Sequence, residues 1–223
     1  GAGKTTIFNL LTGVYAPTRG AIYLDEKSIL KKKTWQRSQM GMARTFQNIR
    51  LFKDMSVIDN VKTAMNNQLD YTMLSGVFRG PGYRKEERAV SRRAHDLLDV
   101  MGLDAQADEY ARNLPYGQQR KLEIARALAS NPRVLLLDEP AAGMNPSETA
   151  ELLQTIRMVR DRFDLSVLLI EHDMSFVMDI CEYIFVLDYG RIIAAGEPED
   201  VRNNPQVIEA YLGGEALGAD DDA

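Results

Sequence analysis

The sequence predicts an α/β fold with a mostly parallel sheet, a small antiparallel β part and a helical subdomain. Three observations carry that prediction. From Val134 to Leu187 short apolar runs alternate with helical patterns, the order that builds a parallel sheet covered by helices. From Arg84 to Leu128 the apolar spacing is mostly helical, which places the helical subdomain at about residues 66–130. At the start, Gly1-Ala2-Gly3-Lys4-Thr5-Thr6 is a glycine-rich turn that opens into a helix.

Taken in order, Thr5 to Leu11 reads as helix, closed by Gly13 and Pro17. Gly20 releases a short strand, Ala21 to Leu24, and Lys31 to Lys33 form a solvated loop or helix face, with Trp35 beside them as a packing residue. Met40 to Phe46 alternates loosely like a strand. Met55, Ile58, Val61 and Met65 have helical spacing, with Ser56 as the N-cap. Ser75 to Tyr83, carrying Gly76, Gly80, Pro81 and Gly82, reads as an exposed connection. Ala94, Leu97, Leu98 and Met101 then form one helix face, on which His95 is structural, and Leu122, Ala125 and Leu128 another. Strands Val134 to Leu137, Val167 to Ile170 and Tyr183 to Leu187 alternate with helices Ser147 to Phe163 and Met174 to Ile180. Asp188-Tyr189-Gly190 turns into a final strand pair, Pro205 to Leu212 forms a last short helix, and residues 213–223, small and acidic, read as a disordered tail.

With 45% hydrophobic and 26% charged residues among 223, the chain falls outside disordered, collagen-like and coiled-coil compositions. Its longest aliphatic runs are far shorter than the roughly 20 residues a membrane span needs. A single cysteine, Cys181, forms no internal disulfide and points to a reducing compartment. The net charge of −5 gives a nucleic-acid partner no support.

The chemistry gathers at loops. Gly1, Ala2, Gly3, Lys4, Thr5 and Thr6 match a phosphate loop: inward-turned amides, a lysine for the outer phosphates and a threonine hydroxyl for a divalent ion. Val134 to Leu137 is a buried-strand block, and it ends in Asp138-Glu139-Pro140. Ligands of open α/β sheets bind off the carboxyl ends of strands. There Asp138 can hold Mg²⁺, partly through water, and Glu139 can orient or deprotonate a water. At the end of the next strand His172 stands where a γ-phosphate would lie.

With these strand-end groups in order, essentially the whole chain resembles the ATP-binding subunit of an ATP-binding-cassette (ABC) transporter, a P-loop NTPase fold. Gln47 matches that family's Q-loop glutamine, Leu114-Pro115-Tyr116-Gly117-Gln118-Gln119-Arg120 its signature loop, Ala141 to Pro146 its D-loop, and His172 its switch histidine. The resemblance implies an ATPase with ATP and Mg²⁺ as ligands. It implies Glu139, His172 and Gln47 as catalytic residues, and Thr5, Gln47 and Asp138 around the metal. Gly117, Gln118 and Asn145 would touch nucleotide held by a partner subunit.

Two positions depart from the family pattern. Pro115 and Tyr116 replace the usual serine and glycine of Leu-Ser-Gly-Gly-Gln, and Asn145 replaces the D-loop aspartate. The Thr45 to Phe52 segment, the Glu139 to Pro146 segment and the ending Asn203 to Gly213 are similar to the ATPase of branched-chain amino-acid importers. That implies membrane permease subunits, a sister ATPase subunit and, indirectly, an extracytoplasmic solute-binding protein as partners. It also implies a peripheral location on the cytoplasmic face of the inner membrane. The alternatives are the ATPase of a lipopolysaccharide-export system or of a urea or amide importer, and less so a soluble ABC ATPase acting on DNA or ribosomes. Since the chain opens inside the phosphate loop, the expectation is an ABC ATPase domain over residues 1–212 that lacks its N-terminal strand and binds ATP poorly.

Overall fold

The computed structural model describes residues 2–65 and 81–212. Gly1, the Ser75 to Gly80 part of the expected connection, and the 213–223 tail lie outside the described residues.

The first helix, α1 (Lys4–Thr12), starts behind Gly3, whose φ of 93° only glycine adopts without strain. It ends at Gly13, also left-handed, whose N–H returns to the carbonyls of the last turn. Buried Arg37 donates from Nη1 to the carbonyls of Leu10 and Leu11 at 2.6 Å each, satisfying groups that a helix end leaves open. Two short strands follow, β1 (Tyr23–Leu24) and β2 (Lys27–Ser28), antiparallel across Asp25 and Glu26. Both turn residues have positive φ, as a two-residue hairpin demands. Helix α2 (Thr34–Gln39) was not expected from the sequence. It leaves Lys31 to Lys33 exposed, as anticipated, but Trp35 is 58% exposed and does not pack. Arg37 takes the buried position on that helix instead.

Strands β3 (Met42–Arg44), β4 (Val134–Asp138) and β5 (Ser166–Ile170) form a parallel sheet in that order. Side chains alternate across β4: Leu136 joins Phe8, Met42 and Ile170 on the α1 face. Leu135 and Leu137 join the large core built with the helices of the opposite face. A strand covered on both faces reads as an unbroken aliphatic run, and β4 does.

The helices of that second face are α3 (Val57–Met65), α4 (Pro81–Val100), α5 (Tyr116–Leu128) and α6 (Pro146–Phe163). Ser56 caps α3, its Oγ accepting from the Asp59 N–H at 3.1 Å. Pro81 to Tyr83 are the first turn of α4 rather than connection, because proline lacks only an N–H that the first turn leaves unused. His95 is structural, paired with Asp104 at 2.6 Å on the surface. Buried Ala94, Leu97, Leu98, Leu122 and Ala125 hold the helices together.

Helix α7 (Met174–Ile180) leads to β6 (Ile184–Asp188) and β7 (Arg191–Gly196), an antiparallel hairpin. The alternation in the sequence placed β6 in the parallel sheet, but its only described ladder is with β7. A cleft of about 630 Å³ separates β5 from β6. Two short helices, α8 (Pro198–Arg202) and α9 (Pro205–Val207), the second running on as a π-helical turn over Ile208–Leu212 as the sequence predicts, close the described chain, with Val201 and Val207 buried beside Val177, Ile184 and Val186. Among the described residues no helix is long and apolar enough to cross a membrane.

Candidate functional site

The carboxyl ends of β4 and β5 lie side by side, since Asp138 pairs with Ile170 in register. The Glu139 N–H donates to the Ile170 carbonyl at 2.9 Å, which carries the ladder one residue past the strand. Glu139 then turns at φ 46°, a conformation that costs a non-glycine residue of order 1 kcal/mol and aims the side chain off the sheet edge. The loop after β3 reaches the same edge, where Gln47 Nε2 donates to Glu139 Oε2 at 2.8 Å. His172, one residue past Glu171 at the end of β5, holds Nδ1 3.8 Å from the same oxygen. Three residues separated by 92 and 33 positions in the chain are thus brought together.

Lys4 stands at this edge as well. Its Nζ donates to the Glu171 carbonyl at 3.0 Å, so the ammonium is held beside His172. Thr5 and Thr6 are exposed in the first turn of α1, and that turn carries no acidic residue. The Ala2 carbonyl accepts from Gly190, and a Cβ on Gly3 would lie 3.6 Å from the Gly190 Cα, so the loop runs against the β6–β7 turn. Free helix N–H groups, a lysine and two hydroxyls form a donor set that suits phosphate oxygens.

Asp138 is buried and is held at 2.6 Å by Arg44 Nη2. The Arg44 guanidinium also donates to Asn9 Oδ1 at 2.8 Å and lies over the rings of Phe8 and Phe46. It therefore ties α1 to the ends of β3 and β4 while neutralising a buried carboxylate. The sequence points Asp138 toward a metal and assigns Arg44 no role. Among the described residues no group of three or more His, Cys, Asp or Glu is placed to hold a metal. A divalent ion at this edge therefore depends on hydroxyl and phosphate oxygens beside Asp138.

Glu171 was also missed. Its buried carboxylate accepts from the Ala141 N–H at 3.0 Å and from the His172 N–H at 3.3 Å, fixing the loop after Glu139 against the His172 turn. Burial raises its pKa above the ordinary carboxylate value, and the two backbone hydrogen bonds oppose that rise. Asp173 caps α7 through the N–H groups of Ser175 and Phe176, and the Ser175 hydroxyl holds its pKa down.

Gly117, Gln118 and Asn145 stand at the N-termini of α5 and α6. Among the described residues no hydrogen bond or ion pair joins them to Lys4, Glu139 or His172. Pro115 is the N-cap of α5 and offers no side-chain acceptor. Asn145 forms a capping box with Glu148: its side chain accepts from the Glu148 N–H at 3.0 Å, and its own N–H donates to the Glu148 carboxylate at 3.1 Å.

A glycine-led helix with a lysine, aimed at two adjacent strand ends that carry Glu139, Gln47 and His172, defines a nucleotide triphosphatase. The chain belongs to the ABC transporter family, whose model matches residues 1–142. A second model, described as branched-chain amino acid ATP-binding cassette transporter, matches residues 191–216. The chain is 47% identical over 213 residues to the high-affinity branched-chain amino acid transport ATP-binding protein LivG of Salmonella typhimurium, covering 96% of this chain and 84% of that protein. It is 36% identical over 213 residues to the lipopolysaccharide export system ATP-binding protein LptB of Acidithiobacillus ferridurans, covering 96% and 82%. Among solved structures, the ADP conformation of an ATP-binding cassette of an ABC transporter superposes with a TM-score of 0.80 at 30% identity, covering 95% of this chain and 84% of that one.

Proposed function

We propose that the chain is the ATPase subunit that energises import of branched-chain or related amino acids. The observation that carries this is the meeting of Gln47, Glu139 and His172 at the strand ends beside Lys4, in a chain whose C-terminal part fits the branched-chain amino acid family. ATP is the substrate, with its outer phosphates against Gly3, Lys4, Thr5 and Thr6. Thr5, Gln47 and Asp138 would hold Mg²⁺, which would supply charge to offset that of the phosphates.

Glu139 receives a proton from the attacking water. Gln47, donating to one oxygen of that carboxylate, holds the carboxyl plane and leaves its other oxygen for the water. The imidazole of His172 faces the transferring phosphoryl group, where its N–H stabilises developing charge. Gly117, Gln118 and Asn145 complete the site of a sister subunit, so two chains close around the nucleotide. ATP then favours the closed pair by its greater affinity for it, and hydrolysis removes that bias. From the cytoplasmic face of the membrane the pair passes this motion to two membrane-spanning permease subunits, fed by an extracytoplasmic solute-binding protein.

The test is uptake by vesicles that contain the assembled transporter with ATP on the side of this subunit. Leucine, isoleucine or valine should accumulate only with hydrolysable ATP. Accumulation of urea or an amide instead, or outward movement of lipopolysaccharide, would replace the substrate reading and leave the ATPase chemistry standing.

A further inference from the structure

Helix α5 carries a buried charge that the reaction described above does not use. Arg120 is 0% exposed and Glu123 2% exposed, and the two pair at 2.7 Å one turn apart. An ion pair so deep adds little stability over apolar side chains of the same size. The Arg120 guanidinium also reaches outside its own helix. Nη1 donates to the Phe46 carbonyl and Nη2 to the Gln47 carbonyl, each at 2.8 Å, and Nε is buried with no partner. Glu123 continues the grip, accepting from the Arg50 N–H at 3.1 Å. The backbone from Phe46 to Arg50, which presents Gln47 to Glu139, is therefore fastened to α5.

One turn back on the same face of α5 stands Tyr116, with its hydroxyl 3.5 Å from Arg120 Nη2. That hydroxyl donates to the Ala142 carbonyl at 3.0 Å, and the ring lies 3.8 Å from where a Cβ on Gly143 would sit. Ala142 in turn donates from its N–H to the Glu139 carbonyl. The contacts close a ring: Glu139 to Gln47 by side chains, the Gln47 backbone to Arg120, Arg120 beside Tyr116, Tyr116 to Ala142, and Ala142 back to Glu139.

We propose that Tyr116 and Arg120 are positioning residues that set the loop bearing Gln47 and the loop after Glu139 in one register, so that an event at the start of α5 reaches the Gln47–Glu139 hydrogen bond. This rests on the ATPase reading above. Tyr116 stands where the family pattern has a glycine, and its hydroxyl is spent on the chain's own Ala142 carbonyl. Displacement of the α5 start by a nucleotide or a second subunit strains the hydroxyl bond to Ala142 and shifts Arg120 with it. The effect arrives at Glu139 as a change in how Gln47 holds the carboxylate.

The experiment is steady-state ATP hydrolysis by the assembled transporter carrying Tyr116→Phe, Gln47→Ala and both together. Tyr116→Phe should lower kcat about 5-fold, the scale of one lost hydrogen bond, with KM for ATP within about 2-fold. In the Gln47→Ala background the same change should alter kcat by less than about 2-fold, because the route ends at Gln47. Equal fold-losses in both backgrounds, an unchanged kcat in the wild-type background, or a loss confined to KM would overturn the proposal. Arg120→Lys gives a second reading, since a lysine keeps the charge but cannot span both carbonyls. It should reproduce the dependence on Gln47 in protein whose unfolding midpoint matches wild type. Absence of any hydrolysis by the wild-type complex would instead sink the ATPase reading itself.

Discussion

Replacing Arg44 by leucine tests whether the buried pair at the end of β4 organises the site edge. Arg44 and Asp138 meet at 2.6 Å with side chains 8% and 6% exposed. Removing the cation leaves Asp138 charged and unpaired in the interior, a loss of about 3–5 kcal/mol. The slight exposure lets water approach, which favours the lower end, while the lost contacts over Phe8 and Phe46 and the lost bond to Asn9 push the other way. A net loss of about 4 kcal/mol in a chain this size lowers Tm by roughly 8–16 °C. The assay is urea unfolding without nucleotide, followed by circular dichroism, with the slope m compared between variants. The double variant Arg44→Leu with Asp138→Leu should regain most of the loss, because an apolar pair of similar volume replaces a buried ion pair at little cost. If Arg44→Leu unfolds within about 1 kcal/mol of wild type, or if the two substitutions simply add, the argument from the unpaired carboxylate is wrong.

Two further outcomes follow from the same geometry. Asn145→Ala removes the side-chain half of the capping box at the start of α6, the Oδ1 that accepts from the Glu148 N–H, and leaves the backbone N–H of residue 145 on the Glu148 carboxylate. It should cost about 1 kcal/mol, whereas Asn145→Asp should retain nearly all the stability, and thermal unfolding of the three proteins checks this. For Glu171 the sign is fixed by burial: its folded pKa lies above the unfolded one, so between those two values the folded state holds the proton more tightly. Its contribution is complete below the unfolded pKa and is lost as pH rises through the folded one. Glu171→Gln, which still accepts from Ala141, should therefore flatten the stability–pH profile above the ordinary carboxylate range, and an unchanged profile would contradict the assignment.

Most of the fold was legible because its signals are local. The aliphatic run of β4, the capping Ser56 before α3 and the helical spacing of Ile58, Val61 and Met65 each show within a few residues. The strand-end position of Asp138 and Glu139 followed from the rule for open sheets, whereas the approach of Gln47 to Glu139 was accessible only through the resemblance. What stayed hidden were buried charges whose partners lie far along the chain. Arg44 meets Asp138 across 94 positions, and Arg120 meets Phe46 across 74. The signals existed in faint form: Arg44 ends an otherwise apolar strand, and Arg120 and Glu123 interrupt an apolar helix face at pairing distance. Asn145 had its own local signal, an Asn followed three residues later by Glu148, the spacing of a capping box. Trp35 misled because a lone aromatic is usually buried, yet the buried position on α2 went to an arginine that could satisfy four carbonyls around the end of α1.

The central claim is that Glu139 deprotonates the attacking water while Gln47 holds its carboxyl in place. Its most direct test is Glu139→Gln in the assembled transporter, with ATP binding and ATP hydrolysis measured on the same preparation. Binding should be retained and hydrolysis should fall by about 10²-fold or more, the scale of a lost general base. Turnover equal to wild type would remove Glu139 from that role and the site as described with it.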